Sequence, residues 1–209
     1  MKHRPLLRVA VGLLLCGATW VVNVHGQQLG QVAATQEVLK ITDDLYVIHN
    51  EWSVPNVAFQ NHLSIQLGGK RLELYRFGQA HTNGDVVVYF PAARTLAAGD
   101  VFVSDPKTPQ LIDYAGGGSA KEWTRTLELS LQLDFDTVVP GHGKVATKEE
   151  MRKFREDTIV LRNRVHEMIV QKKTRDEIAR MLQNEFHWEG VAGQVLMAQS
   201  FDGLIGELQ

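Results

Sequence analysis

The chain has 209 residues, enough for one domain with a substantial core and too few for two comfortable ones. Hydrophobic residues make up 44% and charged residues 22%, a globular and not a disordered balance. The formal net charge is -2 and no basic stripe accompanies it, so nucleic acid is excluded as the expected partner.

Lys2, His3, Arg4 and Arg8 make a basic start, and an apolar run from Val9 to Val22 follows, broken by Gly12, Gly17 and Thr19. That run is shorter than the about 20 residues a spanning helix needs. Val24, His25 and Gly26 then lead to Gln27 in the layout of a signal-peptidase site, which predicts a signal peptide over 1–26. The mature protein is then expected in the periplasm or outside the cell, with no membrane contact after cleavage. The single cysteine, Cys16, follows Leu15, where a lipoprotein signal would want a small residue. Without Cys16 the mature chain has neither a disulfide nor a thiolate ligand, so a metal site has to be built from histidine and carboxylate.

A polar linker over 27–37 precedes a domain over 38–209. Val38–Ile41 and Leu45–His49 read as short strands joined by a turn at Asp43 and Asp44. Pro55 keeps the stretch from Glu51 to Asn61 irregular. Leu63, Ile65 and Leu67 alternate with polar residues, Gly68 and Gly69 turn the chain, and Leu72, Leu74 and Tyr75 return it as a hairpin. Asp85–Phe90 is an apolar run of strand length, ended by Pro91, and Arg94–Ala98 is a further strand running into Gly99 and Asp100. Ser119 and Glu122 have the spacing of a capping box for a helix marked by Trp123, Leu127, Leu131 and Leu133. Asp136–Val139 is a strand stopped by Pro140 and Gly141. Thr147 and Glu150 form a second capping box before a long helix carrying Phe154, Ile159, Leu161, Val165 and Ile169. Helices over Thr174–Phe186 and Gln194–Leu208 complete the chain. Strands first and helices later predict a layered α/β or α+β domain.

Three segments put a metal-competent side chain in a glycine-bordered turn beside a strand: Ala80–Asp85 with His81, Ala98–Asp100 with Asp100, and Val139–Gly143 with His142. Layered folds keep their sites in such loops, and two imidazoles with a carboxylate are ordinary zinc ligands. Each also has a plain structural reading. His81 can bond Asp85 within its turn, Asp100 can be a loop or cap residue, and His142 can be a half-buried imidazole.

His81-Thr82-Asn83-Gly84-Asp85, Gly99-Asp100-Val101-Phe102 and Pro140-Gly141-His142-Gly143 resemble, in order and spacing, three consecutive metal-ligand segments of the metallo-β-lactamase superfamily. Ile112–Ser119, with Glu122-Trp123, resembles an exported bacterial branch of it. The resemblance runs from about Val38 to the C-terminus. It implies an αβ/βα sandwich and a dinuclear zinc hydrolase acting on a small-molecule substrate. His81 would complete the first zinc site, Asp100 would bridge the two ions, and His142 would bind the second. Asp at the bridging position is more similar to glyoxalase II-like and lactonase-like hydrolases than to β-lactamases with Cys there.

One family segment has no counterpart. The eight histidines are His3, His25, His49, His62, His81, His142, His166 and His187, so no His-x-His-x-Asp-His motif is present. The resemblance therefore implies an internal deletion near 59–62, with much of the first half of the fold missing. His49 and His62 flank that junction, but nothing sets them as an i, i+2 pair. His166 is expected to be solvated, and His187 to serve packing or surface. What remains would hold one zinc ion weakly through His81, Asp100 and His142, where the family uses two, with Asp85 as a supporting carboxylate behind His81. The expectation is a zinc-dependent hydrolase by ancestry with impaired activity. The alternatives are a non-catalytic binding or scaffold module and a truncated fragment without function. Loss of half the sandwich would also bare a sheet face and favour self-association through it.

Overall fold

The computed structural model describes residues 59–105 and 108–188, together with 195–209, the first two of these by backbone alone. Of the earlier residues it describes only the backbone of 14–15, 18–19, 38–42 and 45–48. Apart from those short strands, the expected signal segment 1–26 and linker 27–37 lie outside the described residues. So do the Asp43–Asp44 turn, His49 and the irregular stretch up to Ala58. Two compact units divide at residues 58 and 59. In the first, β1 (Leu14–Leu15) pairs antiparallel with β2 (Ala18–Thr19), and β3 (Val38–Thr42) with β4 (Leu45–Ile48). The latter pair corresponds to the two strands expected there. No described helix is long and apolar enough to cross a membrane.

The second unit is a six-stranded mixed sheet with helices, an α/β layering as expected. Strand β5 (His62–Leu67) and β6 (Lys70–Tyr75) form the predicted hairpin, with Leu67 paired to Lys70 across the two glycines. Next come β7 (Val87–Phe90) and β8 (Thr95–Val103), antiparallel to each other, then β9 (Thr137–His142) parallel to β8. A strand not anticipated, β10 (Ala146–Thr147), closes the order β10-β9-β8-β7-β6-β5. The helices are α1 (Ala120–Leu131), α2 (Lys148–Val170), α3 (Arg175–Phe186) and α4 (Val195–Leu208).

Both strands carrying candidate ligands run further than their sequence implies. The strand expected over Arg94–Ala98 starts at Thr95 and continues through Asp100 to Val103, with its pairing register shifting on either side of Gly99. Asp100 thus sits in an irregular stretch of strand and not in a loop beyond one. The strand expected to stop at Pro140 continues to His142. β10 pairs only with Thr137 and Val138, so the later part of β9 has a single neighbour, a position that tolerates proline. Arg94, in the left-handed region (φ 47), ties the starts of these strands together. Its guanidinium binds Asp134 and Asp136, and its carbonyl accepts from the amides of Asp136 and Thr137.

The core lies between the helices and one face of the sheet. Val87, Leu96, Ala98 and Val138 from the strands join Trp123, Leu127, Met151, Leu161 and Val165 from α1 and α2. Trp123 is fully buried and donates its Nε1–H to the Val101 carbonyl at 2.9 Å, which satisfies its one polar atom. Leu72, Leu74 and Val88, in the same sheet, are buried as well, and the exposed large apolar side chains among the described residues are Leu67, Val160 and Val170.

Thr147 and Glu150 form the predicted capping box of α2, and Thr174 and Glu177 form one for α3. Helix α1 differs. The Ser119 hydroxyl accepts from the Glu122 amide as expected, but Glu207 of α4, and not Glu122, supplies the carboxylate at this helix start. The helix also ends at Leu131, leaving Leu133 in the following turn.

Glu73 of β6 is 2% exposed. Burial alone pushes its carboxyl up, but hydrogen bonds from His62, Arg71 and Ser64 outweigh that and hold it below the usual carboxylate range. A depressed folded-state value means stability that is present above the unfolded value of about 4.3 and lost as pH falls through the folded one. Glu73→Gln is accordingly expected to flatten the acid limb of a pH-stability profile, while a limb identical to wild type would show that Glu73 is no part of it. Trp123→Ala is expected to cost about 3–5 kcal/mol in urea unfolding, the usual loss for a buried tryptophan.

Candidate metal centre

His81 lies in the turn between β6 and β7, where the chain bends at every residue from Ala80 to Gly84. A loop 30 residues on holds it from three directions. The Leu111 carbonyl meets His81 Nδ1 at 2.8 Å, the Asp113 amide donates to the His81 carbonyl at 2.9 Å, and the Ser119 amide donates to the Ala80 carbonyl at 3.0 Å. Thr126 of α1 donates to the Gln79 carbonyl, and the Gln79 amide donates to the Gly117 carbonyl, each at 2.8 Å. The Trp123 ring stands edge-on to the imidazole at 6.3 Å between centroids.

Asp100 and His142 meet because β8 and β9 are parallel neighbours. A Cβ at Gly141 would overlap Asp100 Oδ1 and lie 2.8 Å from the Asp100 amide nitrogen, so only glycine lets the carboxylate sit against the end of β9. His142 is held through its backbone: its carbonyl accepts from Ser104 at 3.0 Å, and Ser104 Oγ donates to the Lys144 carbonyl at 2.6 Å.

The three predicted residues come together around one carboxylate. His81 Nε2 is 3.7 Å from Asp100 Oδ2, and His142 Nε2 is 3.4 Å from Asp100 Oδ1. Two ligands on one tetrahedral zinc, with bonds of about 2.0–2.2 Å, stand roughly 3.3–3.6 Å apart, so each histidine–aspartate pair is spaced to share an ion. The pairs use different oxygens, however, and among the described residues no three such side chains are gathered as a cage for one ion. Asp100 thus forms two separate histidine–aspartate pairs, one on each oxygen. With Nδ1–H donated to the Leu111 carbonyl, the His81 ring presents Nε2 to the Asp100 carboxylate. Side-chain exposure is 20% for His81, 27% for Asp100 and 62% for His142, so the cluster is open to a solute.

The other expectations divide. Asp85 stands near the cluster, but its carboxylate accepts from the Thr82 amide and hydroxyl at 2.9 and 2.8 Å, and the group fixing the His81 ring is the Leu111 carbonyl. Asp85 shapes the turn that carries His81 and makes no hydrogen bond to its ring. Burial pushes the Asp85 carboxyl up, only partly offset by the Thr82 hydrogen bonds. His62 is engaged elsewhere, bonded to Glu73 at 2.6 Å and stacked on Tyr75. His166 is exposed, and its Nδ1 lies 2.9 Å from the Leu208 carbonyl. Reading the residues one by one missed Leu111, whose contribution is a backbone carbonyl and leaves no mark on side-chain identity. Gly141→Ala is expected to push Asp100 away from His142 and to cost about 1–3 kcal/mol of stability, readable from unfolding and from the His142 ring resonances. Unchanged ring resonances would contradict the packing described.

The model of the family described as "Metallo-beta-lactamase superfamily" matches residues 14–142, starting upstream of the quoted motifs and ending on His142. The chain is 26% identical over 136 residues to a metallo-beta-lactamase type 2 of Bacillus sp. (strain 170), covering 61% of this chain and 52% of that protein. It is 28% identical over 134 residues to the Bacillus cereus protein of the same name, covering 63% and 48%. The chain thus spans about half the length of the curated relatives it matches. Among solved structures, a double mutant of the sec-alkyl sulfatase PisA1 superposes with a TM-score of 0.51 at 19% identity, over 63% of this chain and 22% of that one, a likeness of fold alone. With more than half of the chain matched, and with His81, Asp100 and His142 converging in a mixed sheet backed by helices, the chain belongs to the metallo-beta-lactamase superfamily.

Proposed function

We propose that this is a metal-dependent hydrolase by descent that keeps a remnant zinc centre at His81, Asp100 and His142 and hydrolyses small substrates poorly. The observation that carries the reading is the Asp100 carboxylate, with one imidazole nitrogen against each of its oxygens. That is the donor set of a bridging ligand between two ions, and its ligand types suit zinc. When bound, zinc would polarise a carbonyl and supply hydroxide near neutral pH.

The chain's own residues cover only part of the remaining work. Leu111 fixes the tautomer and direction of the His81 ring. Asp100 contributes negative charge to both pairs, and His142, the most exposed of the three, closes the second. The sequence has no His-x-His-x-Asp-His segment, so the family's general base and most of its ligands lack a counterpart. An internal deletion at residues 59–62 accounts for this, and matching only half of each curated relative supports it. Missing a positioned base costs roughly 10²–10⁴ in rate.

The binding-module alternative draws support from one feature. Strand β5 is the outer strand of the described sheet and leaves Leu67 exposed, an arrangement suited to pairing with a second copy. Sedimentation velocity separates the readings: a concentration-dependent dimer weakened by Leu67→Lys supports self-association, and a monomer at all concentrations removes it.

Zinc analysis tests the main proposal. Purified protein is expected to hold one zinc or less per chain, to lose it to a mild chelator, and to bind it more weakly after His142→Ala. Two tightly held ions, with brisk hydrolysis of lactam, lactone or thioester reporters abolished by His142→Ala, would overturn it.

A further inference from the structure

We infer that Glu207, in the last turn of α4, is a positioning residue for His81 and acts through the Leu111–Ser119 loop. Among the described residues, the hydrogen bonds to His81 Nδ1 and from other elements to the carbonyls of Ala80 and His81 come from this loop. The Asn83 amide adds a bond to the Gly116 carbonyl at 2.9 Å. The tip of the loop has little of its own to hold it. Ile112 is buried in the core and Leu111 and Tyr114 pack against it, but Ala115-Gly116-Gly117-Gly118 runs across the tip. Three successive glycines have much backbone entropy to lose, so something outside the loop has to hold it in one shape.

Helix α4 does so from a single face. Ser200, Gly203 and Glu207 lie at i, i+3 and i+7 and meet the loop in order along it. Ser200 Oγ accepts from the Ile112 amide at 2.9 Å. Gly203 leaves room for the Tyr114 ring, which a Cβ there would overlap. The Glu207 carboxylate then takes four donors: Tyr114 OH at 2.7 Å, Ser119 Oγ at 2.5 Å, the Ala120 amide at 2.9 Å and, more weakly, the Lys121 amide at 3.4 Å. The Lys121 ammonium adds a bond to the Glu207 carbonyl.

A carboxylate at the N-terminus of α1 is favoured by the helix dipole, and its hydrogen bonds are charge-assisted. Tyr114 is suited to donate: burial, and then the Glu207 bond, push its phenol well above the ordinary tyrosine range. Glu207 thereby fixes the second half of the segment that grips the His81 turn, at Tyr114 and at Ser119, while Ser200 holds its start at Ile112. Nothing else in α4 reaches that segment with charge. Asp202, on the same helix, is turned to Arg175.

The test uses the full chain with Glu207→Ala, Glu207→Gln and, as control, Asp202→Ala. Amide hydrogen exchange is read at Asn83, Asp113 and Ser119 against β9 and α2. Glu207→Ala is expected to speed exchange at those three amides by at least roughly tenfold relative to β9 and α2, with Glu207→Gln intermediate and Asp202→Ala like wild type. A second readout, cobalt(II) titration followed by its visible ligand-field bands, rests on the reading of His81 as a metal ligand. There Glu207→Ala is expected to weaken binding roughly 10- to 100-fold, with partial recovery in Glu207→Gln. Unchanged exchange at Asn83, Asp113 and Ser119, or acceleration spread evenly over the whole unit, overturns the inference. If wild type binds no cobalt, the metal reading fails, and the exchange experiment still decides the role of Glu207.

Discussion

Strands β8 and β9 run side by side in parallel, and at the register shift around Gly99 the Asp100 carboxylate comes to rest against Gly141. Much of the second unit is organised about that contact. It brings Asp100 and His142 within reach of each other, and it requires a parallel pair whose connection carries α1 over the sheet. Once α1 is in place, Trp123 fills the core, bonds the Val101 carbonyl just beyond Asp100, and sets its edge toward His81. The cluster and the core therefore share a strand and a tryptophan.

The Asp100 carboxylate faces an imidazole nitrogen on each of its oxygens. The two rings are held differently: His81 is fixed at Nδ1 by the Leu111 carbonyl, whereas His142 is held through its backbone carbonyl by Ser104.

Local signals made much of the fold legible. The Gly68-Gly69 hairpin, the Val87–Phe90 strand and the Thr147–Glu150 cap each depend on a few neighbouring residues whose chemistry leaves little choice. His81, Asp100 and His142 stood out through the resemblance of their segments to those of the superfamily, with the glycines beside Asp100 and His142 as a weaker sign of a sharp turn. What stayed hidden was non-local. Glu122 has the spacing of a capping partner, yet Glu207 takes the place at α1, where Tyr114, Ser119 and the Ala120 amide all donate to its carboxylate. Pro140 reads as a strand end, and only the short reach of β10 shows why the strand can continue. Asp85 is close to His81 in sequence, but its carboxylate is spent on the Thr82 turn.

The span of the α4 contacts has a kinetic side. His62 and Glu73 are 11 residues apart, whereas Ile112 and Ser200, like Ser119 and Glu207, are 88 apart. Three doublings of loop length add about 2 kcal/mol of closure entropy. The hairpin at the sheet edge can thus close early and alone, while the grip on His81 has to wait until α4 has docked. Partly folded chains would then already show β5 and β6 paired while the segment around His81 was still loose.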